Sequence, residues 1–270
     1  MDILQKIIAN KKETVKERKD LYPTRLLEKS IYFDSPTVSM RQYLKRSDLS
    51  GIIAEFKRKS PSKGMINAYA QVEKVSIGYM QAGASALSVL TDEAFFGGSN
   101  ADLTTARKFN FCPILRKDFI IDEYQIIEAR SIGADAILLI AAALTPKETE
   151  RLARFAQSMR LEVLLEVHSL EELKSHANPF VDLLGVNNRD LKSFDVKLEL
   201  SLDLASQIPS SFTKISESGI RTPKDVIVLK RHGYEGFLIG ENFMRHSRPE
   251  DACSIFIEKI KNHTSSNKMR

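Results

Sequence analysis

From residue 52 onward, short apolar runs alternate with stretches of helical period. The runs are GIIAEFKRK, ALSVLTD, PILRKDF, AILLIAA, LEVLLEVH, LLGVNNRD, FTKISESG and GFLIGENF. They are rich in Ile, Val and Leu at odd and even positions alike, as strands buried on both faces should be. Their starts lie about 22–34 residues apart, room for one strand and one crossover helix. Helix starts are legible between them. Thr145-Pro146 with Glu148 combines an N-cap, a first-turn proline and a capping-box acid. Ser169 with Glu172, Asp122 with Gln125, and Thr222-Pro223 mark further starts. Gly83 and Gly133 fall where helices end. Eight strands, each followed by a helix, predict a single (β/α)8 barrel, the TIM-barrel architecture, over residues 48–262. An open doubly wound sheet would usually carry a GxGxxG turn after its first strand, and the chain has none there.

Residues 1–47 lie outside this repeat. Ile3, Leu4, Ile7, Ile8 and Val15 form a helical stripe, and SMRQYLKR offers a second short helix capped by Ser39. They predict an N-terminal helical extension covering one mouth of the barrel. It would either border the catalytic mouth and exclude water, or cap the closed end. The tail over residues 263–270, HTSSNKMR, has no pattern and is expected to fray.

Composition narrows the class of function. The chain has 270 residues, 43% of them hydrophobic, enough for one large core. Its net charge of +5 suits small anionic substrates and is too diffuse for nucleic acid. The basic run KKETVKERK mixes both signs at helical spacing and is expected to be a solvated face. Cys112 and Cys253 form no CxxC pair, which points to free thiols in a reducing compartment. His168, His176, His232, His246 and His263 show no metal-ligand spacing and read as ordinary surface or capping residues. With no signal peptide and no apolar run of about 18–20 residues, a cytoplasmic protein without membrane or nucleic-acid partners is expected.

The polar interruptions of the strands carry the chemistry. Barrel strands alternate between the interior and the helix layer. Glu55 and Lys57 share a face on the first strand; Lys117 shares one with Leu115 on the third. Glu166 goes with Leu164, Asn187 and Arg189 with Gly185, and Glu217 with Ile215. All lie at the C-terminal ends of their strands, where barrel active sites are built. Gathering Lys57, Lys117, Glu55, Glu166 and Glu217 desolvates charge, a cost that an acid–base site would explain. SESGI and LIGEN close strands seven and eight, the usual phosphate cradle, where Gly219 and Gly240 permit close backbone approach. Lys57 and Ser60 could reach the same ligand. Arg58 and Lys59, by parity, read as solvent-facing.

IIAEFKRKSPSKG, LTDEAFFGGS, PILRKDFIID, LLEVH, GVNNRDL, SESGI and FLIGE, in this order and on these strands, resemble the indole-3-glycerol-phosphate synthase family. The resemblance implies a barrel with an N-terminal extension that acts on 1-(2-carboxyphenylamino)-1-deoxyribulose 5-phosphate. Ring closure with loss of carbon dioxide and water would give indole-3-glycerol phosphate, with no cofactor, no metal and a monomeric protein. Carried over by position, the catalytic set is Glu55, Lys57, Lys117, Glu166, Asn187 and Glu217. Lys117 would be the general acid, Glu166 the base, and Lys57 would bind the carboxylate. Substrate contacts fall on Ser60, Phe96, Phe119, Arg189, Ser218, Gly219, Gly240 and Glu241. Glu241 stands where a backbone N–H would meet phosphate, so its carboxylate must point away. With no tryptophan in the chain, Phe96 and Phe119 are either an aromatic wall or core packing. The competing readings are another phosphate-binding barrel, such as phosphoribosylanthranilate isomerase, and a non-catalytic barrel that binds a phosphosugar. The Lys/Glu set argues against both.

Overall fold

A computed structural model describes residues 2–191 and 193–266 of the protein. Among the described residues, eight parallel strands close into a barrel in chain order, with helices around it. They are β1 (Ile52–Phe56), β2 (Ala86–Leu90), β3 (Ile114–Lys117), β4 (Ala136–Ile140), β5 (Glu162–Val167), β6 (Leu183–Asn187), β7 (Thr213–Glu217) and β8 (Gly236–Ile239). Each is hydrogen-bonded to its sequence neighbour, and β8 closes on β1 with Ile52 opposite Phe237. This is the TIM barrel that the strand–helix alternation predicts.

Strand parity divides the core in two. Ile53, Leu115, Leu138, Leu164, Leu183, Ile215 and Leu238 pack inside the barrel. Their neighbours on the other parity, such as Ile52, Ile114, Val163 and Phe237, pack outward against the helices. One strand step of two residues therefore carries the inward line from Leu115 to Lys117, from Leu164 to Glu166, and from Ile215 to Glu217.

The expected caps form. Thr145 and Asp122 both close capping boxes at the starts of the helices Pro146–Ser158 and Glu123–Ser131. Thr222 closes another, with Asp225 as its partner, before Pro223–Arg231. Ser169 caps the helix Leu170–His176, but the Glu172 carboxylate reaches past the cap to the backbone N–H of His168 at 2.6 Å. Gly83 and Gly133 end their helices at φ 93° and 91°, a backbone that L side chains adopt only with strain.

The N-terminal extension does not cover one mouth; it reaches both ends. Helix α1 (Ile3–Leu21) lies over the C-terminal mouth, where Ile3, Leu4 and Ile7 face the central cavity. After α2 (Thr24–Leu27), the chain descends along the outside of the barrel. There Ser30 donates to the Ser131 carbonyl, and the Val38 N–H donates to Asp135 at 2.8 Å. Helix α3 (Met40–Leu44) then plugs the opposite end, with Met40 and Leu44 inserted into the interior cluster. The expected solvated face of α1 is exposed at Lys12, Lys16 and Lys19, but Lys11 is 6% exposed and belongs to an ion network. At the other terminus the last helix runs Pro249–Ser266, so part of the tail expected to fray is helical; residues 267–270 lie outside the described ones. No helix among the described residues is long and apolar enough to cross a membrane.

Candidate active site

The inward polar residues meet at the C-terminal end of the barrel. Lys117, at the end of β3, is held at 2.8 Å from Glu166 Oε2 and 2.6 Å from Glu217 Oε2. Lys57, just past β1, lies 2.6 Å from Glu55 Oε1. Asn187 ends β6 beside them, and its side-chain oxygen accepts from the Arg189 N–H at 3.1 Å. All six predicted catalytic residues line one cavity, together with Ser60, Phe96, Phe119, Arg189, Ser218 and Glu241. Phe96 and Phe119 are half-buried with ring centroids 5.9 Å apart, so they form a wall of the cavity. Gly219 and Gly240 belong to an adjoining recess that shares Glu55, Lys57 and Glu241 with the first.

Charge in this basin is unbalanced. Burial works against the ammonium of Lys117, but Glu166, Glu217 and Glu55 outweigh it and hold its pKa above the ordinary lysine value. Burial also opposes charge on Glu166, yet Lys117 and His168 bring its pKa down to about 2. Glu217 goes the other way. Burial, with repulsion from Glu166 and Glu55, pushes it up to about 7 despite Lys117. Its Oε1 is buried without a hydrogen-bond partner. The two carboxyls share one lysine and titrate as a pair, with one oxygen left to receive a proton or a ligand.

Two glycines make room for the glutamates. A Cβ on Gly240 would overlap the Glu55 carboxylate, and one on Gly185 would overlap Glu217 Oε1. Gly240 has an ordinary φ of −119°, so space rather than backbone freedom demands it there. Gly219 does use a left-handed backbone, at φ 78°, and Ser218 before it sits at φ 63°. The Glu241 carboxylate turns to Arg189, 3.4 Å away, leaving the backbone at Gly240–Glu241 open to the recess.

Several contributors escape the strand-parity reading. Lys63, Arg221 and Arg245 border the glycine recess and make it more cationic than the two turns alone imply. Arg58 is not solvent-facing: it grips Asp102 at 2.7 and 2.9 Å and stacks 4.6 Å from the Phe56 ring. Lys59 likewise turns to the Ala94 carbonyl at 3.1 Å. His168 is not a surface residue; it lies against Glu166, whose parity it shares. Lys11 of α1 reaches Asp92 at 2.7 Å and Asp118 at 2.8 Å, just behind Lys117.

Comparison with known proteins agrees with this geometry. Solved structures share the fold. Thiamine phosphate pyrophosphorylase from Pyrococcus furiosus superposes with a TM-score of 0.59 at 17% identity, over 82% of this chain and 99% of that one. Among curated proteins, an indole-3-glycerol phosphate synthase of Bacteroides thetaiotaomicron is 49% identical over 96% of this chain and 99% of its own length. One from Acidithiobacillus ferrooxidans is 42% identical over 93% and 97%. The family model described as indole-3-glycerol phosphate synthase matches residues 4–255, nearly the whole barrel and its α1 roof. With a cationic recess, an aromatic wall and paired Lys/Glu groups at the mouth of that barrel, the chain belongs to the indole-3-glycerol phosphate synthase family.

Proposed function

We propose that the basin closes the indole ring of 1-(2-carboxyphenylamino)-1-deoxyribulose 5-phosphate, releasing carbon dioxide and water. The observation that carries this is Lys117, buried between Glu166 and Glu217 on the floor of a cavity walled by Phe96 and Phe119. The aromatic ring of the substrate lies against that wall, and its phosphate occupies the recess at Gly219 and Gly240 with Lys63, Arg221 and Arg245 nearby. Attack of the ring carbon on the ribulose carbonyl builds charge on oxygen, and Lys117 protonates it. Lys57 binds the carboxylate over the reacting carbon, an orientation effect, and Glu55 holds Lys57 in place. Loss of carbon dioxide restores aromaticity. In the dehydration that follows, a lysine of the basin protonates the leaving hydroxyl and Glu166 accepts the proton that the new ring loses, while Asn187 and Glu217 orient the hydroxyls.

The protein acts on this small molecule as a monomer and in the cytoplasm; the location is supported by two buried free thiols, Cys112 and Cys253. The experiment is to give the purified protein the carboxyphenylamino substrate and follow indole fluorescence. Steady formation of indole product is expected; its absence under conditions where the protein is folded overturns the proposal.

A further inference from the structure

Each turnover of the proposed reaction takes up one proton, because the substrate carboxylate leaves as neutral carbon dioxide and the hydroxyl leaves as water. Lys117, its side chain 13% exposed, lies on the cavity floor beneath the substrate in the proposed complex and must be recharged after it protonates the carbonyl. A contiguous line of titratable groups leads to it. Glu172 Oε2 is 3.4 Å from His168 Nδ1, and His168 Nε2 is 3.5 Å from Glu166 Oε1. The other oxygen of Glu166 is 2.8 Å from Lys117 Nζ. Side-chain exposure rises along the line from 4% at Glu166 to 13% at His168 and 24% at Glu172.

Both ring nitrogens of His168 are buried and meet only these two carboxylates, Glu172 and Glu166, at 3.4 and 3.5 Å, with no closer hydrogen-bond partner. His176, eight positions on, shows what a structural histidine looks like here: its Nε2 sits 3.0 Å from the Leu144 carbonyl and its Nδ1 2.9 Å from Ser175. The charged groups facing His168 are Glu166 on its own strand, Glu172 on the following helix and Glu217 from β7. Burial disfavours the charged ring, but these carboxylates outweigh it and hold the imidazole pKa above the ordinary value.

We propose that His168 is a positioning residue that relays protons from solvent at Glu172 to the Glu166–Lys117 pair. This rests on the reaction proposed above. Glu172 takes a proton from water; its O–H bond breaks as an Nδ1–H bond forms. The Nε2–H bond then breaks as Glu166 Oε1 gains the proton. Rotation of the Glu166 carboxyl passes it to neutral Lys117, restoring the ammonium. The ring is left as the Nδ1–H tautomer; exchange with solvent, which takes the Nδ1 proton and returns one to Nε2, resets it before the next turnover, and no electrons change hands.

The test is His168→Gln, assayed for kcat, KM and melting temperature across pH, with and without added imidazole. Expected are a fold equal to the unaltered protein's, an unchanged KM and a kcat lowered about 10-fold, most at alkaline pH, where solvent protons are scarce. Added imidazole should restore kcat in the variant and leave the unaltered enzyme unaffected. An unchanged kcat overturns the proposal, and so does a lowered kcat that imidazole does not restore. Should His168→Gln fail to fold, Glu172→Gln decides: a kcat drop growing with pH at constant KM supports the relay, and a full kcat at every pH overturns it. Failure of the unaltered protein to form indole overturns the reaction itself and is seen before any variant is compared.

Discussion

Lys11 is buried, Lys117 is nearly so, and each is held between two carboxylates. Their surroundings differ. Lys11 joins Asp92 and Asp118; Asp118 also binds Arg116, which binds Glu128, which binds Arg18. In that network Lys11, Arg18 and Arg116 balance Asp92, Asp118 and Glu128. The Asp118 oxygens are fully engaged, accepting from Thr91 at 2.6 Å and from the Phe119 N–H at 2.8 Å as well. Burial alone would raise the pKa of Asp118 and Glu128, but their cations hold both below the ordinary carboxylate range. In the basin, Lys57 and Lys117 face three carboxylates, Glu55, Glu166 and Glu217. The surplus shows as the raised pKa and orphan oxygen of Glu217. A balanced buried network has nothing left to offer a ligand and fixes geometry. An unbalanced one is completed only when a proton or a substrate arrives.

Lys117→Met attacks the unbalanced side. It should lower kcat by about 10² to 10⁴ while substrate still binds, since the proposed general acid is lost and the proposed aromatic and phosphate contacts remain. Single-turnover kinetics with a separate binding titration check this, and near-normal kcat would remove Lys117 from its role. Glu166→Gln belongs in the same range, because an amide cannot take up a proton at neutral pH.

Lys11→Met attacks the balanced side. Stranding Asp92 and Asp118 without their cation should cost about 3–5 kcal/mol in stability, read by urea denaturation. The chemical step of the folded enzyme should change far less than in Lys117→Met. A stable Lys11→Met protein with abolished kcat would erase the distinction between the two networks.

Gly240→Ala is a smaller perturbation on the reactive side. Its Cβ would push the Glu55 carboxylate away from Lys57, so about 1–3 kcal/mol of overpacking strain is expected. Activity should fall with it, and Lys57 should become more reactive toward an amine-modifying reagent. Unchanged activity would show that Glu55 has room to move.

A further effect concerns pH. Glu217 has a folded pKa raised from 4.5 to about 7, so the folded state binds the extra proton. Its contribution to stability is fully present below about 4.5 and is lost as pH rises through about 7. Glu166 is depressed to about 2, so its contribution is present above 4.5 and is lost as pH falls toward 2. Glu217→Gln should therefore flatten the stability profile between pH 4.5 and 7 and leave the acid limb intact. A profile identical to the parent's in that window would place the shared proton elsewhere.

Strand parity sufficed to find Lys117, Glu166 and Glu217, because the two-residue repeat of a strand fixes which side chains face inward. His168 carried the same signal, being two residues past Glu166, and a metal-centred view of histidine hid it. The partnership of Lys11 with Asp92 and Asp118 had no local signal: helical spacing says which residues share a face, not what a face meets 80 or more positions away. The same limit concealed the splitting of the extension, since an apolar stripe reports that it must be covered without naming the surface. The spatial need for Gly185 and Gly240 depends on where a neighbouring strand sends its glutamate, so composition could not reveal it.

The strap formed by residues 2–44 also has a history in time. It is synthesised before the barrel, yet Arg18 binds Glu128, 110 positions later, and Ser39 binds Glu162, 123 positions later. At translation rates of about 5–20 residues per second, α1 emerges roughly 5 to 20 s before those partners exist. Through that interval Ile3, Leu4 and Ile7 have no barrel mouth to cover, so their apolar stripe stays in water until the barrel forms. The strand β8 that closes the barrel on β1 is synthesised later still, so the mouth that α1 covers cannot be complete until about 200 residues after it.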